Sequence, residues 1–304
     1  MALTNGGGLR VLWATDGSET SRSAVPLLRY LILPSTLRLT VLSVAPHSMI
    51  SGARPDPVFL TRTTPAARRR ALLEAEHVAQ RAISELDPSS VEVEAISKWG
   101  NPIHEILRAA RADGSDLVVL GAKGHSDLRL VLLGSVSQGV VHNATRPVLI
   151  ARPAADAPSQ VVVGFDGSNP ARRAAEFLER WNLSAAVLIR LVFVIEPFLM
   201  PDRMPSAYRR NAVENAQHID ERRLHEARFA LDATARLLRN TGHRVETEVV
   251  NGPSAPVLDA AAVRHGAGLI VVGSRKPSPA RHYLLGSTAE KLVRHSKASV
   301  LIVR

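Results

Sequence analysis

The chain contains no cysteine, which excludes disulfides and thiolate metal sites. Aromatic residues make up only 4% of its 304 positions, leaving few platforms for stacking single-stranded bases. No run is apolar enough, for long enough, to span a bilayer. The run at 187–195 is strand length and is interrupted by Arg190. The opening MALTNGGGLR lacks a signal-peptide hydrophobic region. Gly6-Gly7-Gly8 precedes the first strand, so it cannot be a dinucleotide loop, and a mobile terminus is the expectation. These shortages lead to the expectation of a cytoplasmic protein with no membrane partner.

Basic residues are in excess. The formal charge is +10, a balance that favours anionic partners. Apart from Arg68-Arg69-Arg70, which reads as a solvated helix face, the basic residues are dispersed. Nucleic acid is therefore not the expected partner.

The chain repeats itself. Val11-Leu-Trp-Ala-Thr-Asp-Gly-Ser18 returns as Val161-Val-Val-Gly-Phe-Asp-Gly-Ser168, an offset of about 150 residues. Leu117-Val-Val-Leu-Gly121 returns as Leu269-Ile-Val-Val-Gly273, Leu132-Leu-Gly-Ser135 as Leu284-Leu-Gly-Ser287, and Pro147-Val-Leu-Ile150 as Ser299-Val-Leu-Ile302. Two domains are expected, 1–154 and 155–304, joined by a Pro/Ala-rich linker at 152–159. In the first, near-continuous apolar runs at 10–15, 37–44, 91–97, 116–121 and 147–151 suit strands buried on both faces of a parallel sheet. Between the second and third run, Leu72, Ala75, Val78, Ala79, Ala82, Ile83 and Leu86 follow a helical period over 64–86, with Pro65 in the first turn. The matching helix of the second copy spans about 209–240 and ends at Gly242. The expected fold class is α/β: two tandem doubly wound parallel five-stranded sheets, Rossmann-like, of order 3-2-1-4-5.

In that order ligands bind beyond the carboxyl ends of the first and fourth strands. The first strand ends at Asp16-Gly17-Ser18. The fourth ends at Gly121-Ala-Lys-Gly124, followed by Gly134-Ser135 before a helical pattern at 136–143. Gly121 and Gly124 allow close approach of backbone to an anion. Gly134 and Ser135 stand at a helix N-terminus, where amides and dipole favour phosphate. Ser135 is also a capping residue type. Lys123 and His125 add nearby charge. Asp16 suits hydroxyl or amino donors of a nucleoside, and equally a local turn with Gly17 and Ser18.

Gly121-x-x-Gly124, nine residues, then Gly134-Ser135 resembles the ATP-binding signature G-2x-G-9x-G-[S/T] of universal stress proteins. Asp16-Gly17-Ser18 and Arg146-Pro147-Val-Leu-Ile150 are similar to that family as well, and the likeness covers both halves. It implies adenine-nucleotide binding, ATP with or without Mg²⁺, and pairing of domains through the last strand. It implies that the Asp after strand one, here Asp16, contacts adenosine, and that the Val ending strand two, here Val44, offers its backbone to adenine. The second copy keeps Asp166, Val194, Gly273, Gly286 and Ser287 but has Lys276 for the second glycine, followed by Pro277. Arg275, Arg281 and His282 make that loop basic. The second site is thus expected to be altered.

The expected role is a regulatory nucleotide-binding protein of the stress response, not an enzyme. No Walker A Lys-[Ser/Thr] pattern occurs. No paired carboxylates lie near the glycine loop, and no SGGxDS-type loop follows the first strand. Slow ATP hydrolysis, or a basic interaction protein without nucleotide, are the alternatives. The two halves are expected to form an intramolecular pseudo-dimer with strands 147–151 and 299–303 adjacent, since an exposed apolar edge strand invites aggregation. A homodimer of whole chains is a question for sedimentation. On this reading Gly124→Val removes most ATP binding in the first half, because a branched side chain occupies the space that phosphate needs. Calorimetry with wild-type affinity in the variant would refute the assigned loop.

Overall fold

The computed structural model describes residues 8–32, 36–46, 64–88, 91–122, 133–153, 158–181, 183, 186–196, 206–274 and 285–304. In the first half, β1 (Leu9–Ala14) leads into α1 (Glu19–Arg22) and α2 (Ala24–Leu27), which continues as a π-helical turn at Leu28–Ile32. Then come β2 (Thr36–Pro46), α3 (Pro65–Leu86), β3 (Glu92–Gly100), α4 (Pro102–Ala112), β4 (Leu117–Gly121), α5 (Ser135–Asn143) and β5 (Val148–Ala151). The second half repeats the plan: β6 (Gln160–Phe165), α6 (Asn169–Trp181), β7 (Leu188–Ile195), α7 (Ser206–Asn240), β8 (Arg244–Asn251), α8 (Ser254–Arg264), β9 (Leu269–Gly273), α9 (Ser287–His295) and β10 (Ser299–Val303). None of the described helices is long and apolar enough to cross a membrane.

Each half has the expected strand order, but the two sheets are one. The order is β3-β2-β1-β4-β5-β10-β9-β6-β7-β8. All pairings within a half are parallel, and the junction β5–β10 is antiparallel. There Leu149 faces Leu301, Val148 faces Ile302 and Ile150 faces Val300. This is the self-complementary register of a twofold interface, and it removes both apolar edges from solvent.

The continuous apolar runs arise because both faces of the sheet are covered. Val11, Trp13, Leu117, Val119, Leu301 and Val303 enter one core; Leu12, Ala14, Val118, Leu120, Val300 and Ile302 enter the other. On the first face α3 is capped by Thr64, whose hydroxyl accepts from the Ala67 amide at 3.2 Å, and it stops where Asp87 turns left-handed at φ 49°. Ala71, Ala75, Ala79, Ala82 and Leu86 are its buried stripe. In α7 the corresponding stripe is Ala227, Leu231, Ala235 and Leu238, and Gly242 at φ 89° closes the helix.

Two arginines clasp the halves together. Arg152, just after β5, donates its guanidinium to the Val293 carbonyl in the last turn of α9 at 2.5 Å, and its amide to Ser299 Oγ at 3.0 Å. Arg304, just after β10, does the same to the Val141 carbonyl of α5. Each cation thus meets the negative end of a helix in the other half. They are only 5% and 7% exposed. Burial pushes both guanidiniums below their usual range, with Asp259 partly offsetting this at Arg152. His142 Nε2 and Glu290 Oε2, 3.3 Å apart, add a pair across the same junction.

Gly121 and Gly273 have a packing role that differs from the expected one. A Cβ on Gly121 would lie 2.6 Å from Ser21 Cα and from the Thr20 carbonyl oxygen. On Gly273 it would lie 2.2 Å from the carbonyl carbon and oxygen of Pro170. The bare Cα face is filled by the backbone of the first helix of each half, so it is not open to an anion. Gly121→Ala and Gly273→Ala are therefore each expected to lower stability by about 1–3 kcal/mol or more, seen as a lower urea midpoint with or without any ligand.

His243 follows α7 and is buried, with neither ring nitrogen in a well-aligned hydrogen bond. Burial pushes its imidazole below the usual range, and the Leu178 carbonyl and Glu179 only partly offset this. Below its unfolded pKa of about 6.5 the unfolded chain binds a proton that the folded chain resists. The contribution of His243 is complete above that pH and shrinks as pH falls. Urea unfolding at about pH 7.5 and about pH 5.5 is expected to show a smaller loss of stability on acidification for His243→Leu than for the parent.

Candidate functional site

The strand order reverses at β1–β4 in the first half and at β6–β9 in the second. Beyond the carboxyl ends of these strands lie the residues singled out from the sequence. Asp16 Oδ1 accepts from the Ser18 amide at 3.0 Å and from Ser18 Oγ at 2.6 Å. Asp166 Oδ1 accepts from the Ser168 amide at 3.0 Å. Both aspartates therefore make the local turn, with Gly17 and Gly167 at positive φ of 75° and 74°. Both side chains are nevertheless exposed. The loop is tied to the first helix, since Thr15 Oγ1 and Ser21 Oγ are 2.9 Å apart and the Gly17 amide donates to Thr15 Oγ1.

Gly134 and Ser135 arrive at the same crevice. The Gly134 amide donates to the Ala122 carbonyl at 2.7 Å, and Ser137 Oγ to the Gly121 carbonyl at 2.7 Å. Ser137 was not singled out by sequence reasoning, and its only mark is its place in Gly134-Ser-Val-Ser137. Ser135 is not the cap. Gly134 holds that position, and Ser135 is the exposed first residue of α5. Gly286 and Ser287 repeat this at α9. A glycine cap supplies no side-chain acceptor, so neither first turn has a side-chain cap. Amides there keep the capacity to bind an anion. Val44, half-buried on β2 beside Lys98 of β3, and Val194, beside Val250 of β8, sit close to the ends of their strands. Lys123, Gly124, His125, Arg275, Lys276, Pro277, Arg281 and His282 lie outside the described residues.

In the second half these positions border an open cavity of about 740 Å³, within the roughly 300–1,000 Å³ usual for small-molecule sites. Asp166, Val194 and Ser287 all line it. So do Arg172 of α6, Phe193 of β7, Glu226, Phe229 and Ala230 of α7, and Thr288 of α9, none of which sequence reasoning had named. Glu196, also on the wall, accepts from Ser254 Oγ at 2.7 Å and from the Ser254 amide at 3.2 Å. These two bonds hold its carboxyl below the usual range and cap α8, whose own cap residue is Pro253. Among the described residues no three His, Asp or Glu side chains converge as a metal-ligand set.

A small residue on the covering helix distinguishes the halves. The buried stripes of α3 and α7 align Val78 with Ala230. Val78 stands over Gly17, and a Cβ there would be 3.2 Å from its Cγ1. Over Gly167 nothing lies within 4 Å of the same point. The half with the altered loop sequence is thus the half with space beside its aspartate. Chemically, this cavity offers a carboxylate for hydroxyl donors, helix amides and hydroxyls for an anion, and an apolar wall between them.

Comparison with known proteins agrees with this geometry. The profile of the Universal stress protein family matches residues 9–152 and again 159–304. Universal stress protein YxiE of Bacillus subtilis is 30% identical over 149 residues, covering 47% of this chain and 98% of that protein. Universal stress protein MJ0577 of Methanocaldococcus jannaschii is 32% identical over 152 residues, 47% of this chain and 94% of its own. A solved universal stress protein from Archaeoglobus fulgidus shares the fold over 97% of this chain and 98% of its own, with TM-score 0.69 at 22% identity. Two successive profile matches cover nearly the whole sequence, and by that measure the chain belongs to the universal stress protein family, with two copies of the family's domain in tandem.

Proposed function

We propose that the chain binds an adenine nucleotide, ATP with or without Mg²⁺, beyond the carboxyl ends of its strands, and that holding the ligand is its function. The observation that carries this reading is the cavity in which Asp166, Val194 and Ser287 meet at the uncapped N-terminus of α9. In it Asp166 receives ribose hydroxyls, the wall at Val194 lies against the base, and the first-turn amides of α9 with Ser287 and Thr288 take phosphate oxygens. Gly286 belongs to that phosphate end as the residue preceding those amides. Asp16, Val44, Gly134 and Ser135 supply the equivalent groups in the first half. Gly124 completes its loop by the sequence signature, while Gly121 and Gly273 hold the first helices against their strands. The nucleotide supplies the charge and the base to be recognised; the chain supplies orientation. Groups that hold a ligand equally well in ground and transition states do not accelerate its reaction. Binding to the folded state alone stabilises that state by mass action and biases an interface for a partner to read.

Two variants test this reading. Ala230→Val restores in the second half the residue type that narrows the first, and is expected to abolish ATP binding there with little change in stability. Ser287→Ala is expected to weaken it by about 1.5–3 kcal/mol at most, the worth of one hydrogen bond to a charged group. Calorimetry of the parent with no heat for ATP would sink the nucleotide reading in favour of a basic interaction protein. Hydrolysis at a rate near about 10 s⁻¹, lost in Ser287→Ala, would establish an ATPase instead.

A further inference from the structure

Phe229 departs from the burial pattern of its helix. Ala227, Leu231, Ala235 and Leu238 of α7 turn into the core, whereas Phe229 is 69% exposed. A single exposed apolar residue is ordinary on a protein surface, and what sets this ring apart is its place. The ring is not part of a broad apolar patch, because Glu226, Arg228 and Asp232 around it are also exposed. It does line the second-half cavity, together with Ala230 of its own helix and with Phe193, Val194 and Ile195 of β7. In the first half the position aligned with Phe229 is His77, and Val78 beside it closes on Gly17. Two differences on one helical turn therefore act in the same direction. Ala230 opens space beside Asp166 and Gly167, and Phe229 adds an aromatic face at its border.

Every nucleobase presents a π-face, and stacking on an aromatic side chain is a strong, sequence-tolerant way to hold it. Beside the charged residues Arg172, Glu196 and Glu226, the lining divides by chemistry. Hydroxyl-seeking Asp166 follows β6, anion-seeking Ser287 and Thr288 open α9, and the apolar surface comes from α7 and β7. We propose that Phe229 is the aromatic wall on which the base of the nucleotide stacks in the second half, which makes that half the site of the chain where affinity depends on the base. The proposal rests on the nucleotide reading above and adds to it a residue and a division of labour between the halves.

The test uses the full chain and two probes, ATP and inorganic tripolyphosphate, which shares the phosphate chain and lacks a base. Phe229→Trp places an indole at the site over the background of Trp13, Trp99 and Trp181. Its added emission is expected to be quenched by ATP and unmoved by tripolyphosphate. In calorimetry, Phe229→Ala is expected to weaken the second-half ATP step about five- to 150-fold, the range of measured base stacking. Tripolyphosphate affinity stays unchanged, and Phe229→Tyr keeps ATP within about twofold of the parent because the ring remains. If the parent binds no ATP, the nucleotide reading itself fails. If the parent binds ATP and Phe229→Ala binds it equally well, the nucleotide reading stands and the role of Phe229 is overturned. Parallel loss of ATP and tripolyphosphate in Phe229→Ala would overturn it too, since the ring would then be supporting the cavity without touching a base.

Discussion

The crevice in each half depends on a contact between two stretches of backbone. At Gly121 the first turn of α1 lies against the last residue of β4, and at Gly273 the start of α6 lies against the last residue of β9. A methyl group at either position would sit inside van der Waals contact with main-chain atoms, which unlike a flexible side chain have nowhere to go. This approach sets how close the loop after the first strand comes to the end of the fourth. Asp16 and Asp166 belong to that loop. The helices α5 and α9 that follow the fourth strands are fixed from the other side, in the first half by the Gly134 amide and Ser137 hydroxyl. The carboxylate and the helix N-terminus are thereby held at the two borders of one crevice. The glycine therefore shapes the site without having to face the ligand.

The junction of the halves has a different logic. The β5–β10 ladder is short, and its apolar side chains are buried on both faces. What distinguishes it is the pair of buried arginines, each reaching the last turn of a helix that belongs to the other half. A buried guanidinium is costly unless its donors are met. Here carbonyls at helix ends, which lack intrahelical partners, meet one terminal nitrogen of each, while the Nε of both stays buried without a partner. The exchange is reciprocal: each half contributes one strand, one arginine and one helix end. A chain arranged this way has used the last strand of each copy within itself, and the edges left to the sheet are β3 and β8.

Much of this fold is legible in the sequence, for physical reasons that can be named. Strands covered on both faces must be apolar throughout, so the runs around Val11, Val118 and Leu149 stand out without a structure. The stripe of α3 repeats with helical period, and Thr64-Pro65 and Gly242 mark helix ends by their chemistry. The site is legible only in part. A glycine in a sequence reveals that a Cβ is absent, not what occupies the space, and Gly121 was assigned to an anion when the backbone of α1 fills it. Ser135 is a capping type, but Gly134 has the extended backbone of the cap. Phe229 leaves no trace, because an exposed aromatic on an amphipathic helix has no pattern of its own. Its meaning appears only once the cavity beside it is known.

The difference between Val78 and Ala230 shows how duplication within one sheet permits divergence. The residues that hold the crevice together are the same in kind in both halves, from the aspartate turn to the glycine beneath the first helix. The residues that face the crevice from the covering helix are not. A change from valine to alanine on a helix over a loop removes two methyl groups, and the space above Gly167 opens. The cavity so formed is not isolated from the junction. Helix α9 begins at the cavity with Ser287 and Thr288 and ends with the Val293 carbonyl on Arg152. Nine residues of helix span only about 13 Å. The second-half cavity and the seam between the halves thus share a single element.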